Sequence, residues 1–153
     1  YVIGLEAVYK AADYVCINIS SPNTKNLREL QGDEQLDALL GKLNETRNTL
    51  ADQHGFYRPL ALKIAPDLNI EQIDTICELL IKHHIDGLVA TNTTLSRKAI
   101  AGHPLQNEAG GLSGAPVEEK STWCVDQFYR RLQGEIPIIG VGGIEDAATA
   151  RAK

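Results

Sequence analysis

At 153 residues, 43% hydrophobic and 23% charged, the chain has the length of roughly one domain and the composition of a packed core, which excludes a disordered or fibrous polypeptide. A net charge of -5 argues against a nucleic-acid surface and against a polybasic membrane anchor. Cys16, Cys77 and Cys124 lie far apart, with no CxxC pair and no His at ligand spacing, so the expectation is free thiols in a reducing compartment and no metal. No run approaches the roughly 18 apolar residues of a membrane span, and nothing resembles a cleavable signal.

Residues 3–11 are expected to be a helix end with Leu5, Val8 and Ala12 on one side. Tyr14-Val15-Cys16-Ile17 then reads as a short strand, running directly into Asn18-Ile19-Ser20-Ser21-Pro22-Asn23-Thr24. That loop carries hydroxyls and amides but no charge, a set that would hold a small planar polar molecule without salt bridges. Read as an ordinary loop, the same residues satisfy the backbone and fix a turn. From Asp33 to about Gln53, Leu36, Leu39, Leu40, Leu43 and Leu50 recur at helical spacing. Residues 59–65 form a nearly continuous apolar run, which suits a parallel strand buried on both faces. Ile70, Ile73, Ile76, Cys77, Leu80 and Ile81 mark a second helix, closed by Lys82-His83-His84 as a solvated terminus.

A third strand is expected at 88–91 and a long polar connection over 92–115. The helix at about 117–133 would present Val117, Trp123, Cys124, Phe128 and Leu132, and a fourth strand spans 136–141 before a helix starting near Glu145. Strand and helix thus alternate four times, so the strands should be parallel with right-handed crossovers. An open doubly wound sheet and a (β/α)8 barrel both accept this pattern. The polar and glycine-rich stretches, 18–24, 65–67, 91–94 and 140–143, all follow strand ends. Chemistry at every strand end favours the barrel, because an open sheet is functional only at its switch point. The expected fold class is therefore α/β, a (β/α)8 TIM barrel, here a partial barrel of about four βα units; a whole one takes about 250 residues. Tyr1 without a preceding Met and a final helix without a C-cap Gly are read as the ends of a piece of a longer chain.

Lys63 stands inside the apolar second strand. A buried ammonium needs a negative partner or loses its proton, so Lys63 either pairs with Asp67, snorkels at the rim, or faces an anionic cofactor or intermediate. Thr91-Asn92-Thr93-Thr94 repeats the neutral hydroxyls and amides of the first loop at another strand end. Asn side chains offer a donor beside an acceptor and match the imide edge of a pyrimidine or flavin. Gly110-Gly111-Leu112-Ser113-Gly114 and Gly140-Val141-Gly142-Gly143 are glycine-rich, and the second lies between strand and helix, where backbone N–H groups favour phosphate. It is neither GxGxxG nor a P-loop, and a tight turn would use the same residues. A serine hydrolase is disfavoured, because Ser21 lacks the G-x-S-x-G context and no His follows a strand.

The segments INISSPNT, LRELQ, LKIAPDL, IDGLVATNTT, GGLSG and PIIGVGGI, in this order over nearly the whole chain, closely resemble the catalytic half of the class 2 dihydroorotate dehydrogenases. The resemblance implies that residues 1–153 are part of a single FMN-binding barrel domain, lacking a quinone-binding N-terminal segment, the early strands and the last strand. It implies oxidation of dihydroorotate to orotate in pyrimidine biosynthesis, with a hydride passing to FMN and electrons on to a quinone. By residue, Ser21 matches the catalytic base, where class 1 relatives carry Cys. Asn18 matches a residue touching flavin and substrate, and Asn23, Asn92 and Thr93 match substrate contacts. Lys63, Thr91, Gly114, Gly142 and Gly143 match flavin contacts. The resemblance further implies peripheral association with the cytoplasmic face of a bacterial inner membrane, or with the mitochondrial inner membrane, through the missing segment. Residues 1–153 alone are expected to lack dehydrogenase activity. The alternatives are another FMN barrel oxidoreductase of pyrimidine metabolism, class 1-like, and a non-enzymatic α/β module binding a phosphorylated ligand.

Overall fold

The computed structural model describes residues 1–21 and 33–153. Four strands, β1 (Val15–Asn18), β2 (Leu60–Ile64), β3 (Gly87–Ala90) and β4 (Ile138–Gly140), alternate with helices α1 (Val2–Val8), α2 (Asp33–His54), α3 (Ile70–Lys82), α4 (Glu118–Leu132) and α5 (Ala147–Ala152). The strands form one parallel sheet in sequence order, with Asn18 opposite Lys63, Lys63 opposite Val89 and Val89 opposite Ile139.

That order decides between the two architectures. When each strand pairs with its successor through right-handed crossovers, every helix falls on the same face of the sheet. The burial follows this rule. Ile17, Leu62, Ile64 and Leu88, at alternating positions along their strands, are 0–2% exposed and join Leu36, Leu40, Ile73, Ile76 and Leu80 in one core. Their neighbours on the other face are more open: Cys16, Asn18 and Ile139 are exposed and Lys63 is half-buried, while the central Ala61 and Val89 are buried. One helix-covered face and one concave face make a sector of a (β/α) barrel. Each buried Leu or Ile contributes about 1.5–3 kcal/mol over an exposed one, so the convex layer holds the sector together.

Local chemistry sets the ends of the elements. Asn69 caps α3 by accepting the Gln72 amide at 2.8 Å while Gln72 Oε1 accepts the Asn69 amide at 3.0 Å, a reciprocal capping box. Asp146 and Thr149 do the same for α5. At the start of the strands Asp86 makes a compact ionic joint. Its carboxylate accepts from Arg47 Nη1 and from the Leu60 amide, each at 2.8 Å, and from the Tyr57 hydroxyl at 2.6 Å. Arg47, 2% exposed, also donates to the His84 carbonyl at 3.0 Å and to Asn44. Burial first, then the bond to Asp86, pushes the Tyr57 hydroxyl up to about 12, so it stays protonated as a donor.

Several expectations need correction. The buried pair on α1 is Leu5 and Tyr9, while Val8 is exposed, because the Tyr9 ring stacks on Phe56 at 5.6 Å. Ser121 sits on the buried face of α4, whereas Trp123 is 38% exposed. β4 is shorter than the apolar run 136–141, and a 3-10 turn, Ala115–Val117, leads into α4. His83 is not a solvated end; its Nε2 meets Asp37 Oδ1 at 2.5 Å, beside Lys82 on the same carboxylate. The thiols of Cys77 and Cys124 are buried, which pushes them up to about 11 and about 12 and keeps them unreactive. Cys16 is exposed on the concave face.

Candidate functional site

The C-terminal ends of β1 and β3 bring two of the expected residues, Asn18 and Asn92, into contact. Asn18 is the last residue of β1, and the period-two alternation of a strand puts Ser20 on the same face. Asn92 follows β3 and turns back toward β1. Its Nδ2 donates to Asn18 Oδ1 and to Ser20 Oγ, both at 3.1 Å. Ser20, fully buried, accepts that bond and in turn donates to the Lys63 carbonyl at 3.0 Å, while its amide donates to Asn18 Oδ1 at 3.2 Å. Asn92 Oδ1 accepts the Thr93 amide at 2.9 Å. The bonds use up Asn18 Oδ1 and leave its Nδ2 without an acceptor among the described residues. A donor is therefore presented at the open end of the sheet by a side chain whose orientation is already set.

Lys63 lies opposite Asn18 in the sheet register, on the concave face. Of the three alternatives for Lys63, pairing with Asp67 is not the one found. Among the described residues Lys63 has no carboxylate partner, because Asp67 lies beyond the strand end and is engaged by Lys120 Nζ at 2.5 Å. Burial raises the Cys16 thiol, and the nearby Lys63 charge opposes the rise. Thr91, 2% exposed, follows a cis peptide bond after Ala90 and donates from its hydroxyl to the Asn92 carbonyl at 2.9 Å. Ser21 is half-buried, one residue beyond Ser20. Asn23 lies outside the described residues.

Gly142 and Gly143 sit against the start of α4 with φ of 109° and 73°, values that favour glycine. A Cβ on Gly143 would come within 2.6 Å of Glu118 Cα, so the turn can approach the helix only without a side chain. Gly114, at φ 78°, opens the 3-10 turn into α4 and is exposed. The amides of Gly142, Gly143 and Ile144 have no acceptor among the described residues. Asp146 already caps α5, so the available donors here belong to the glycine turn rather than to the helix end.

Two residues outside the expected site set, Ser20 and Asp67, carry much of this geometry. Ser20 was detectable by its i, i+2 relation to Asn18. Asp67 was not, because its partners are distant in sequence: Thr94 Oγ1 at 2.6 Å, the Leu95 amide at 2.9 Å and Lys120. Burial works to raise the Asp67 carboxyl, but the bonds from Lys120, Thr94 and Leu95 outweigh it and hold it at about 2. A carboxyl depressed from the ordinary value near 3.9 adds stability that is complete above that value and is lost as pH falls through the lower one. Discounted for partial exposure, this is about 1–2 kcal/mol. The difference in urea-unfolding free energy between the full-length protein and Asp67→Asn should reach that size at pH 6 and narrow between pH 5 and pH 3. A difference that stays constant over this window would contradict the assignment.

A sector of parallel α/β barrel with neutral amides, a lysine and a glycine turn gathered at its C-terminal strand ends has the layout of a barrel-enzyme site. The chain belongs to the dihydroorotate dehydrogenase family, whose profile matches residues 1–152. It is 59% identical over 144 residues to the dihydroorotate dehydrogenase (quinone) of Chromobacterium violaceum, covering 94% of this chain and 42% of that one. It is 58% identical over 153 residues to that of Bordetella pertussis, covering 100% of this chain and 44% of that one. Among solved structures, DHODH from Eimeria tenella in complex with ferulenol matches with a TM-score of 0.90 at 34% identity, over 99% of this chain and 44% of that chain. The chain thus spans somewhat under half the length of the curated relatives it matches.

Proposed function

We propose that the full-length protein oxidises dihydroorotate to orotate with FMN as cofactor and a quinone as electron acceptor, a step of pyrimidine synthesis. The observation that carries this reading is the convergence of Asn18, Ser20 and Asn92 at the strand ends beside Lys63, in a member of this family. Both relatives named above are called quinone enzymes, which supports the choice of acceptor.

The donor set fits a flavin phosphate. Uncapped glycine amides suit a phosphate, Lys63 suits an electron-rich ring edge, and among the described residues no cluster of His, Cys, Asp or Glu suits a metal. In this reading Lys63, Thr91, Gly114, Gly142 and Gly143 hold the cofactor, with Asn18 touching both cofactor and substrate. Asn92 and Thr93 bind the substrate ring, as does Asn23. FMN, when bound, supplies the hydride acceptor. Ser21 would take the proton from ring carbon 5 and pass its own hydroxyl proton to a water or a neighbouring Thr hydroxyl, while the hydride leaves carbon 6 for the flavin. The lysine cation stabilises negative charge that gathers during the step. Residues 1–153 form part of one barrel domain, and the full-length enzyme works at the cytoplasmic face of a bacterial inner membrane. No helix among the described residues is long and apolar enough to cross a membrane.

Purified full-length protein should carry a flavin spectrum that bleaches when dihydroorotate is added without air and recovers on addition of a quinone. A flavin that dihydroorotate leaves oxidised would overturn the assignment, and bleaching that only a soluble acceptor such as fumarate or NAD reverses would overturn the quinone part.

A further inference from the structure

The connection between β3 and α4 is tied into one unit. Thr94 and Leu112 exchange backbone hydrogen bonds at 3.0 and 2.8 Å, and Arg97 donates to the carbonyls of Glu108 at 3.0 Å and Gly110 at 2.7 Å. The excursion between Thr94 and Leu112 is closed on itself, and it meets the barrel at Thr94, two residues after Asn92. Asp67, just past the end of β2, bonds to that joint. One oxygen accepts the Thr94 hydroxyl and Lys120 of α4, and the other accepts the Leu95 amide. The carboxylate therefore ties the segment after β2, the segment after β3 and α4 together at a single point.

We propose that Asp67 is a positioning residue for substrate binding: by holding Thr94 and Leu95 it sets where Asn92 and Thr93 stand against Asn18 and Ser20. This rests on the reading of the amide cluster as the dihydroorotate site. Asn92 reaches Asn18 and Ser20 through two bonds of 3.1 Å, so a displacement of about 1 Å at the joint breaks both. The carboxylate charge matters as well as its shape, since among the described residues Lys120 and two further donors share its two oxygens. An amide at this position offers only one oxygen and turns an N–H toward one of the donors.

In the full-length enzyme, Asp67→Asn should lower kcat/KM for dihydroorotate by on the order of 10- to 100-fold, the scale of a misplaced binding group. The change should lie mainly in KM, with flavin content and the KM for quinone unchanged. Thr94→Val, which removes one tie and keeps the Leu95 bond, should shift KM in the same direction by less. In an Asn92→Ala background Asp67→Asn should have little further effect, because residues acting through one another are non-additive. A kcat/KM within twofold of wild type for folded, flavin-loaded Asp67→Asn, or additive effects in that cycle, would overturn the proposal. Should Asp67→Asn fail to fold, an unchanged KM in Thr94→Val overturns it instead. Wild-type enzyme that does not turn over dihydroorotate refutes the reading of function, and this proposal with it; normal wild-type turnover with unaffected variants refutes the role of Asp67 alone.

Discussion

Ser21→Ala in the full-length enzyme is expected to slow reduction of the flavin by dihydroorotate about 10²- to 10⁴-fold, the range of a lost general base, while substrate still binds. Binding should survive because the network that orients the amides runs through Ser20, Asn18, Asn92 and the Lys63 carbonyl. Ser20→Ala is the matched control. It removes a fully buried hydroxyl that accepts from Asn92 and donates to Lys63, so its effect should fall on the dissociation constant of dihydroorotate rather than on the reduction rate. Stopped-flow absorbance of the flavin, with substrate titrated against each variant, separates the two quantities. A reduction rate in Ser21→Ala within a few-fold of wild type would remove Ser21 as the base. A serine hydroxyl is a weak base near neutral pH, so the step also needs an acceptor for the serine proton.

Asp86→Ala should be the most damaging single change for stability away from the site, at about 3–5 kcal/mol. The reason lies in what it leaves behind. The Arg47 side chain is 3% exposed, and with Asp86 gone its guanidinium keeps the His84 carbonyl, Asn44 and the face of Tyr57 but has no counter-charge among the described residues. The Leu60 amide, which opens β2, loses its acceptor at the same time, and an unpaired donor there adds its own desolvation cost. Asp86→Asn keeps one oxygen and should cost less. Arg47→Met, which removes the buried charge itself, should cost less than removing only its partner. Urea unfolding of the three full-length variants checks the order. A loss below about 1 kcal/mol in Asp86→Ala would show that the joint is not ionic in effect. Because Asp86 lies at the N-terminal ends of the strands, flavin content and kcat of the folded fraction should stay at wild-type levels.

Much of the fold was legible from local rules. An apolar run such as 60–64 between two amphipathic helices can be satisfied only by burial on both faces, and helix-joined strands are parallel, so alternation alone led to a parallel α/β sheet. The candidate site residues were legible because polar groups at the ends of apolar strands stand out: Asn18, Thr91 and Asn92 sit where the sheet ends, and Lys63 is the one charge inside β2. Contacts between elements were not legible: His83, expected as a solvated helix end, meets Asp37 of α2, and Asp67, one of the groups offered to Lys63, meets Lys120 of α4.

The elements, their order and the chemical character of each strand end follow from hydrophobic period and turn chemistry acting over a few residues. The sequence also carried the family, since six short segments in fixed order are a property of the chain and not of its coordinates. What emerged from the folded chain is that α1 to α4 pack on one face of the sheet, that Asn92 crosses to Asn18 and Ser20, and that Asp67 serves the segment after β3. Those are questions of which donors reach which acceptors across strands paired in register. A hydrogen bond is settled within a few tenths of an ångström, a distance that spacing along the chain does not encode.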